Sequence, residues 1–191
     1  GVAHVHAEAR SHGGDPSRIV LCGNSSGGHL LSLLAVHPTW LSTVAVPHSA
    51  IAATVDVSGV SSLRDGLPWP IVAALRLLYF GLDVGGAATL SPLEWVHAAV
   101  DDVCPFVLVT AEWELPGIKA VSRRFGDALE ARNVKVTRLT VPRSTHFTAI
   151  RSSDAVLRDV AALVETPRPI QSEAWLRERA SDGWLRERAA A

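Results

Sequence analysis

One short segment of the chain combines the residue types used in nucleophilic chemistry. Residues 23–27 read Gly-Asn-Ser-Ser-Gly; they follow an apolar run and precede a helical pattern. A strand, a tight turn and a helix in this order form a nucleophile elbow, in which the central serine projects from a strained backbone. Side chains at Gly23 and Gly27 are expected to collide where strand and helix pass each other. The segment therefore indicates nucleophilic chemistry at Ser25, with Ser26 as the alternative.

The groups that a serine nucleophile needs occur later in the chain. A base must remove the hydroxyl proton, and a carboxylate must orient that base. Glu112 and Glu114 follow one strand-like segment, His146 follows another, and Asp56 lies at the end of a third. Open α/β sheets place their sites beyond the carboxyl ends of the strands, so these groups are expected near Ser25. His146 could also be an ordinary loop histidine.

Short apolar segments alternate with helical patterns over residues 1–165. The predicted strands are 18–23, 51–57, 105–110 and 134–141, and the predicted helices are 2–12, 26–37, 118–132 and 153–165. This alternation is typical of an α/β protein whose mostly parallel sheet is flanked by helices. We therefore expect one α/β domain over residues 1–165.

The last residues, 166–191, form a separate tail that contains a repeat. Two copies of Trp-Leu-Arg-Glu-Arg-Ala begin at Trp175 and Trp184. A period of nine residues puts the two tryptophans on opposite sides of an ideal helix, which disfavours a single docking stripe. The tail is either a partner-binding or dimerising element, or else a poorly ordered helical appendage or a duplication at the C-terminus.

Composition and charge exclude several classes of protein. The chain has 191 residues, of which 48% are hydrophobic, and this balance excludes disorder. A net charge of −1 gives no electrostatic case for a nucleic-acid partner, and no apolar run is long enough for a membrane span.

Cys22 and Cys104 are expected to be buried free thiols, and neither has a metal-ligand spacing. The first residue is Gly1 and not methionine, so the N-terminus does not show whether a signal peptide was ever present, and a cytoplasmic location is only the default.

Several motifs occur together in a recognisable order. They are Gly13-Gly14-Asp15-Pro16-Ser17-Arg18-Ile19, then Gly23-Asn24-Ser25-Ser26-Gly27-Gly28-His29-Leu30, then Ser91-Pro92-Leu93, and finally His146-Phe147. This combination resembles the α/β-hydrolase esterases related to hormone-sensitive lipase and kynurenine formamidase, over about residues 1–165. The resemblance implies a partial α/β-hydrolase fold, because the strands that precede the elbow in that fold, and a His-Gly-Gly loop, are not seen here. An unpaired sheet edge and self-association through it are then expected.

The same resemblance implies roles for individual residues. Ser25 is the nucleophile, His146 the general base and acid, and Glu114 the orienting carboxylate, where the family usually has aspartate. Glu112 and then Asp56 remain alternatives to Glu114. The Ser26 N–H is expected to donate to the oxyanion that forms when the serine attacks a substrate carbonyl. The candidate substrate-binding residues are Asn24, Trp69 and Trp113.

The implied reaction is the hydrolysis of small carboxylic esters without a metal or an organic cofactor. An N-formyl amide is the nearest alternative substrate. A hydrolase-derived fragment that acts only as a binding module is the competing interpretation. The loss of one oxyanion donor with the missing loop would slow catalysis by roughly 10²–10³.

Overall fold

In a computed structural model of the chain, the described residues are 1–64, 66–68, 70–71, 73–74, 77 and 89–151. The predicted helix at 153–165, the repeat-containing tail at 166–191 and Trp69 lie outside these residues.

Four parallel strands organise the described residues. They are β1 (Ile19–Asn24), β2 (Ile51–Val57), β3 (Phe106–Trp113) and β4 (Val136–Thr145). The strands lie in the sheet in chain order, β1-β2-β3-β4, and every neighbouring pair is parallel. Among the described residues, the helices around them include α1 (Val2–Glu8), α2 (Ser26–Val36), α3 (Pro92–Trp95) and α4 (Ile118–Glu130). The expected α/β class with a parallel sheet is thus confirmed.

The packing of α4 shows why the sequence folds in this way. Val121, Phe125 and Leu129 recur every four residues and are fully buried, so they form one apolar face of the helix. The Phe125 ring meets the Phe106 ring of β3 edge to face, with 5.4 Å between their centroids. The alternate residues of β3, such as Val107, point to the opposite face of the sheet and belong to a second apolar cluster.

The sheet departs from the sequence-based expectation at its carboxyl end. β3 continues beyond the predicted residue 110 to Trp113, and β4 continues beyond 141 to Thr145. Both extensions contain many exposed residues, so the apolar pattern stops before the strand pairing does. As a result, Glu114 and His146 each directly follow a strand.

The two cysteines differ in their environments. Cys104 is buried and its sulfur lies 3.2 Å from the Thr54 hydroxyl oxygen, whereas Cys22 is exposed. The prediction of burial is therefore wrong for Cys22. Residues of β1 alternate between the two faces of the sheet, and the face that carries Cys22 is less covered than the face that carries Leu21. Among the described residues, no helix combines the length and the apolar character needed to cross a membrane.

Candidate active site

The segment around Ser25 forms a tight turn between β1 and α2. Ser25 has φ 55° and ψ −116°, a conformation that L-residues rarely adopt. Its backbone N–H donates to the Val57 carbonyl at 2.8 Å, and this bond fixes the turn to β2. A Cβ atom at Gly23 would lie 2.5 Å from the carbonyl carbon of Gly27, so this position requires glycine. The strained serine and the crowded Gly23 are the features expected of an elbow.

The second glycine requirement falls on a different residue from the predicted one. A Cβ atom at Gly27 would meet nothing within 4 Å, so the prediction of a collision there is wrong. A Cβ atom at Gly28 would instead lie 2.4 Å from Asp56 Oδ1. The backbone at Gly27 is close to β1, but a side chain there would point into open space, whereas a side chain at Gly28 would point at Asp56 of β2.

A continuous chain of hydrogen bonds joins Ser25, His146 and Glu114. His146 Nε2 lies 2.9 Å from Ser25 Oγ, and His146 Nδ1 lies 2.7 Å from Glu114 Oε1. A carboxylate only accepts, so Nδ1–H donates to Glu114, and Nε2 is then free to accept the Ser25 hydroxyl proton. His146 is buried, with 4% of its surface exposed. The structure therefore brings together the three residues that the resemblance implied.

The Glu114 carboxylate is held by four donors. Oε1 accepts from His146 and from the Leu115 N–H at 2.9 Å, and Oε2 accepts from the Ser58 hydroxyl at 2.5 Å and from the Ala111 N–H at 3.1 Å. Burial acts to raise the pKa of Glu114, but these hydrogen bonds outweigh it and hold the pKa below its ordinary value. The group is thus kept as an anion beside the imidazole.

The alternative acids have other partners. Glu112 is exposed, and its Oε2 accepts from the Arg143 N–H at 2.6 Å. Asp56 is buried and accepts from the Ser32 hydroxyl at 2.9 Å and the Gly59 N–H at 2.7 Å. The structure thus places neither carboxylate on the imidazole of His146.

The remaining predicted site residues lie around the elbow in different ways. Ser26 is the first residue of α2, where backbone N–H groups have no partner within the helix. The Asn24 side-chain amide donates to the Val57 carbonyl at 3.2 Å, so it braces the turn. Trp113 is 60% exposed at the end of β3. Trp69 lies outside the described residues.

Two residues at the site were not assigned a role from the sequence. Ser58 bonds to Glu114, and the exposed Phe147 ring meets the His146 ring edge to face with centroids 5.1 Å apart. The signal for Ser58 was its position directly after a parallel strand. Within the described ranges, no group of three or more histidine, cysteine or acidic side chains could hold a metal ion.

Comparisons with known proteins identify the fold. No family model matches the chain, and no curated protein matches it. A truncated carbohydrate esterase from gut microbiota is similar in structure, with a TM-score of 0.66, 16% identity, and coverage of 86% of this chain and 66% of that one. Carboxyl esterase 2 from the fungus Tuber melanosporum gives a TM-score of 0.66 at 18% identity, covering 87% of this chain and 60% of that one.

A thermophilic esterase from Thermogutta terrifontis, solved with butyrate bound, is also similar. Its TM-score is 0.63 at 17% identity, with 89% of this chain and 65% of that chain covered. The chain therefore spans less than two thirds of the length of the first structures that it matches. At such low identities the likeness establishes the fold: the chain shares part of the α/β-hydrolase fold of esterases.

Proposed function

We propose that this chain is a serine hydrolase that cleaves small carboxylic esters through an acyl-enzyme. The observation that carries the proposal is the hydrogen-bond chain from Ser25 Oγ through His146 to Glu114, with steps of 2.9 and 2.7 Å. A nucleophile within reach of a base, which is in turn oriented by a carboxylate, is the arrangement that such chemistry needs.

The first half of the reaction is acylation. Ser25 Oγ attacks the ester carbonyl carbon, and His146 Nε2 takes the hydroxyl proton. Glu114 stabilises the imidazolium through Oε1 and stays ionised. The tetrahedral intermediate collapses with loss of the alcohol, which leaves with the proton from His146. Ser25 then carries the acyl group as an ester.

The second half is hydrolysis of that acyl-enzyme. His146 takes a proton from water, the resulting hydroxide attacks the acyl carbon, and the proton is returned to Ser25 Oγ as the carboxylic acid leaves. The negative charge on the carbonyl oxygen develops near the start of α2. The Ser26 N–H supplies one donor there, and the positive end of the helix favours the same charge.

The acyl group is proposed to be short. One structurally similar protein, an esterase from Thermogutta terrifontis, was solved with butyrate bound and with propionate bound. An N-formyl amide is the nearest alternative substrate, in keeping with the resemblance to kynurenine formamidase. Parallel assays with p-nitrophenyl acetate, p-nitrophenyl butyrate and an N-formyl arylamine distinguish these substrates.

The decisive experiment uses a fluorophosphonate probe, which phosphonylates an activated serine. We expect the wild-type chain to be labelled and the Ser25→Ala variant to remain unlabelled. Ser26→Ala is the matched control, because it removes the neighbouring hydroxyl and keeps the backbone N–H. An unlabelled wild-type chain with an intact circular dichroism spectrum would contradict the proposal and favour the non-catalytic binding module.

A further inference from the structure

The turn after β2 connects the two halves of the candidate site. On one side, the Ser58 hydroxyl donates to Glu114 Oε2 at 2.5 Å, and the Ser58 N–H donates to the Val109 carbonyl of β3 at 2.7 Å. The side chain and the backbone of one residue thus bind both the acidic group and the strand that leads to it. Ser58 is 1% exposed, so water does not compete for these bonds.

The same turn is bonded to the nucleophile elbow on its other side. The Val57 carbonyl accepts from the Ser25 N–H at 2.8 Å and from the Asn24 side-chain amide at 3.2 Å. The Val60 carbonyl lies 2.6 Å from His29 Nδ1, on the first turn of α2. Three hydrogen bonds therefore fix the position of residues 57–60 relative to the serine.

The conformation of the turn is held by a buried carboxyl group. Asp56 accepts from the Gly59 N–H and from the Ser32 hydroxyl of α2. Ser58 lies between these anchors with φ 54°, in the left-handed region that favours glycine. A serine that keeps an unfavourable backbone conformation needs support from its surroundings, and its hydroxyl is bonded to a carboxylate of the site.

As the acid of the site, the glutamate at position 114 needs more restraint than an aspartate would. The glutamate side chain has one more rotatable bond, so keeping one carboxylate oxygen on the imidazole requires the other oxygen to be held as well. Glu114 Oε2 has two donors, the Ser58 hydroxyl and the Ala111 N–H. With Oε2 held, Oε1 is directed to His146 Nδ1.

We propose that Ser58 is a positioning residue that holds the Glu114 carboxylate in register with His146 and ties it, through the turn at residues 56–60, to the Ser25 elbow. This inference rests on the proposed function for its catalytic consequence. Its geometric content, the orientation of Glu114 toward His146, is independent of turnover.

Two variants of Ser58 separate the effect of losing its hydroxyl from the effect of its backbone strain. Ser58→Ala removes the hydroxyl and keeps a side chain at a positive φ. Ser58→Gly removes the hydroxyl and relieves that strain, so it should be the more stable of the two. We expect both to lose about tenfold in kcat, which is of the order expected for losing a hydrogen bond to a charged group, with KM little changed.

Ser61→Ala is the matched control. Ser61 lies three residues further along, is fully buried, and its hydroxyl has no hydrogen-bond partner among the described residues. It should keep wild-type kcat. Wild-type kcat in both Ser58 variants would overturn the proposal, as would an equal loss in Ser61→Ala.

The same substitution in a Glu114→Ala background tests whether Ser58 acts through the carboxylate. With no carboxylate to hold, Ser58→Ala should change the rate of probe labelling less than twofold, measured over long incubations. If Ser58→Ala slowed probe labelling as much in this background as it does in the wild-type background, Ser58 would have a general structural role, and the proposal would be overturned.

Proton NMR of the His146 Nδ1–H gives a readout that does not require activity. Because Nδ1 lies 2.7 Å from Glu114 Oε1, we expect this proton to resonate far downfield. We expect its signal to shift or broaden in Ser58→Ala and Ser58→Gly and to stay unchanged in Ser61→Ala. An unchanged signal in both Ser58 variants would overturn the inference, whereas absent labelling with a shifted signal would contradict only the proposed function.

Discussion

Two carboxyl groups at the carboxyl edge of the sheet have opposite electrostatic environments. Glu114, after β3, accepts from four donors, and its pKa is held below the ordinary value despite burial. Asp56, at the end of β2, has two donors among the described residues, and burial raises its pKa to about 6. The number of donors relative to the loss of water decides which group stays ionised. The carboxylate with four hydrogen-bond donors is the one that is bonded to the imidazole.

The comparison separates two tasks that acidic residues perform close together. Glu114 presents a charge to His146, and a stable charge is what orients an imidazole and stabilises its protonated form. Asp56 presents oxygen atoms to a backbone N–H and a hydroxyl in a dry interior, and it can do so with or without a full charge. A carboxyl group near a serine nucleophile is therefore not by itself a candidate for the acid.

The largest expected effect comes from removing the charge of Glu114. Glu114→Gln should lower kcat for p-nitrophenyl acetate by about 10⁴-fold, because an amide that donates toward Nδ1 favours the wrong imidazole tautomer. The hydrolysis rate at saturating substrate measures this.

Glu112→Gln is the matched control for that variant. Its amide oxygen can still accept from the Arg143 N–H, as the Glu112 carboxylate does at 2.6 Å. Activity should therefore change little. If both variants lost activity equally, Glu114 would not be the orienting acid.

The second prediction concerns stability, and its sign follows from the raised pKa of Asp56. Between the ordinary value of 3.8 and about 6, the folded chain holds a proton that the unfolded chain releases, so stability falls as pH rises through this range. The difference corresponds to about 3 kcal/mol. Asp56→Asn should remove this dependence. In urea unfolding, its free energy of unfolding relative to that of wild type should therefore increase as the pH is raised from 4 to 7.

The behaviour of Glu114 should be opposite in sign. Its pKa is depressed in the folded chain, so its stabilising contribution is present above the ordinary pKa and is lost as pH falls through the folded value. If the free energy of unfolding of Asp56→Asn had the same pH dependence as that of wild type, the raised pKa of Asp56 would be contradicted. The contrast between the two carboxyl groups would then be lost.

The smallest expected effect tests how Asp56 is enclosed by α2. Gly28→Ala should cost about 1–3 kcal/mol, since its Cβ would press on Asp56 Oδ1 at 2.4 Å. Gly27→Ala faces open space and should gain up to about 1 kcal/mol through helix propensity. Thermal unfolding of the two variants measures the difference, and equal stabilities would show that α2 does not confine Asp56.

The sequence predicted those parts of the molecule that depend on local patterns. The apolar runs located all four strands, and β2 was predicted with its observed bounds, Ile51–Val57. The order of chemical groups along the chain indicated the serine, the acids and the histidine, because the carboxyl ends of parallel strands meet at one edge. Glu114 was separated from Glu112 only by resemblance, and their different partners appear only in three dimensions.

Other features depend on contacts between distant residues, and a local pattern does not contain them. Ser58 and Glu114 are separated by 56 residues, and no periodicity marks such a pair. The glycine requirement at Gly28 arises from Asp56 on another strand. The ends of β3 and β4 were underestimated because backbone pairing continues where the side chains have become exposed.

The order of the strands has a consequence for how the chain acquires its site. Of the four described strands, β1 precedes Ser25 and β4 precedes His146, so the hydrogen bond between these residues closes a separation of 121 residues. Contacts at such separations form late and slowly, because the intervening chain must be ordered first. The reactivity of Ser25 during refolding would therefore report assembly of the whole sheet, and a chain released before β4 is made would contain an elbow without its base.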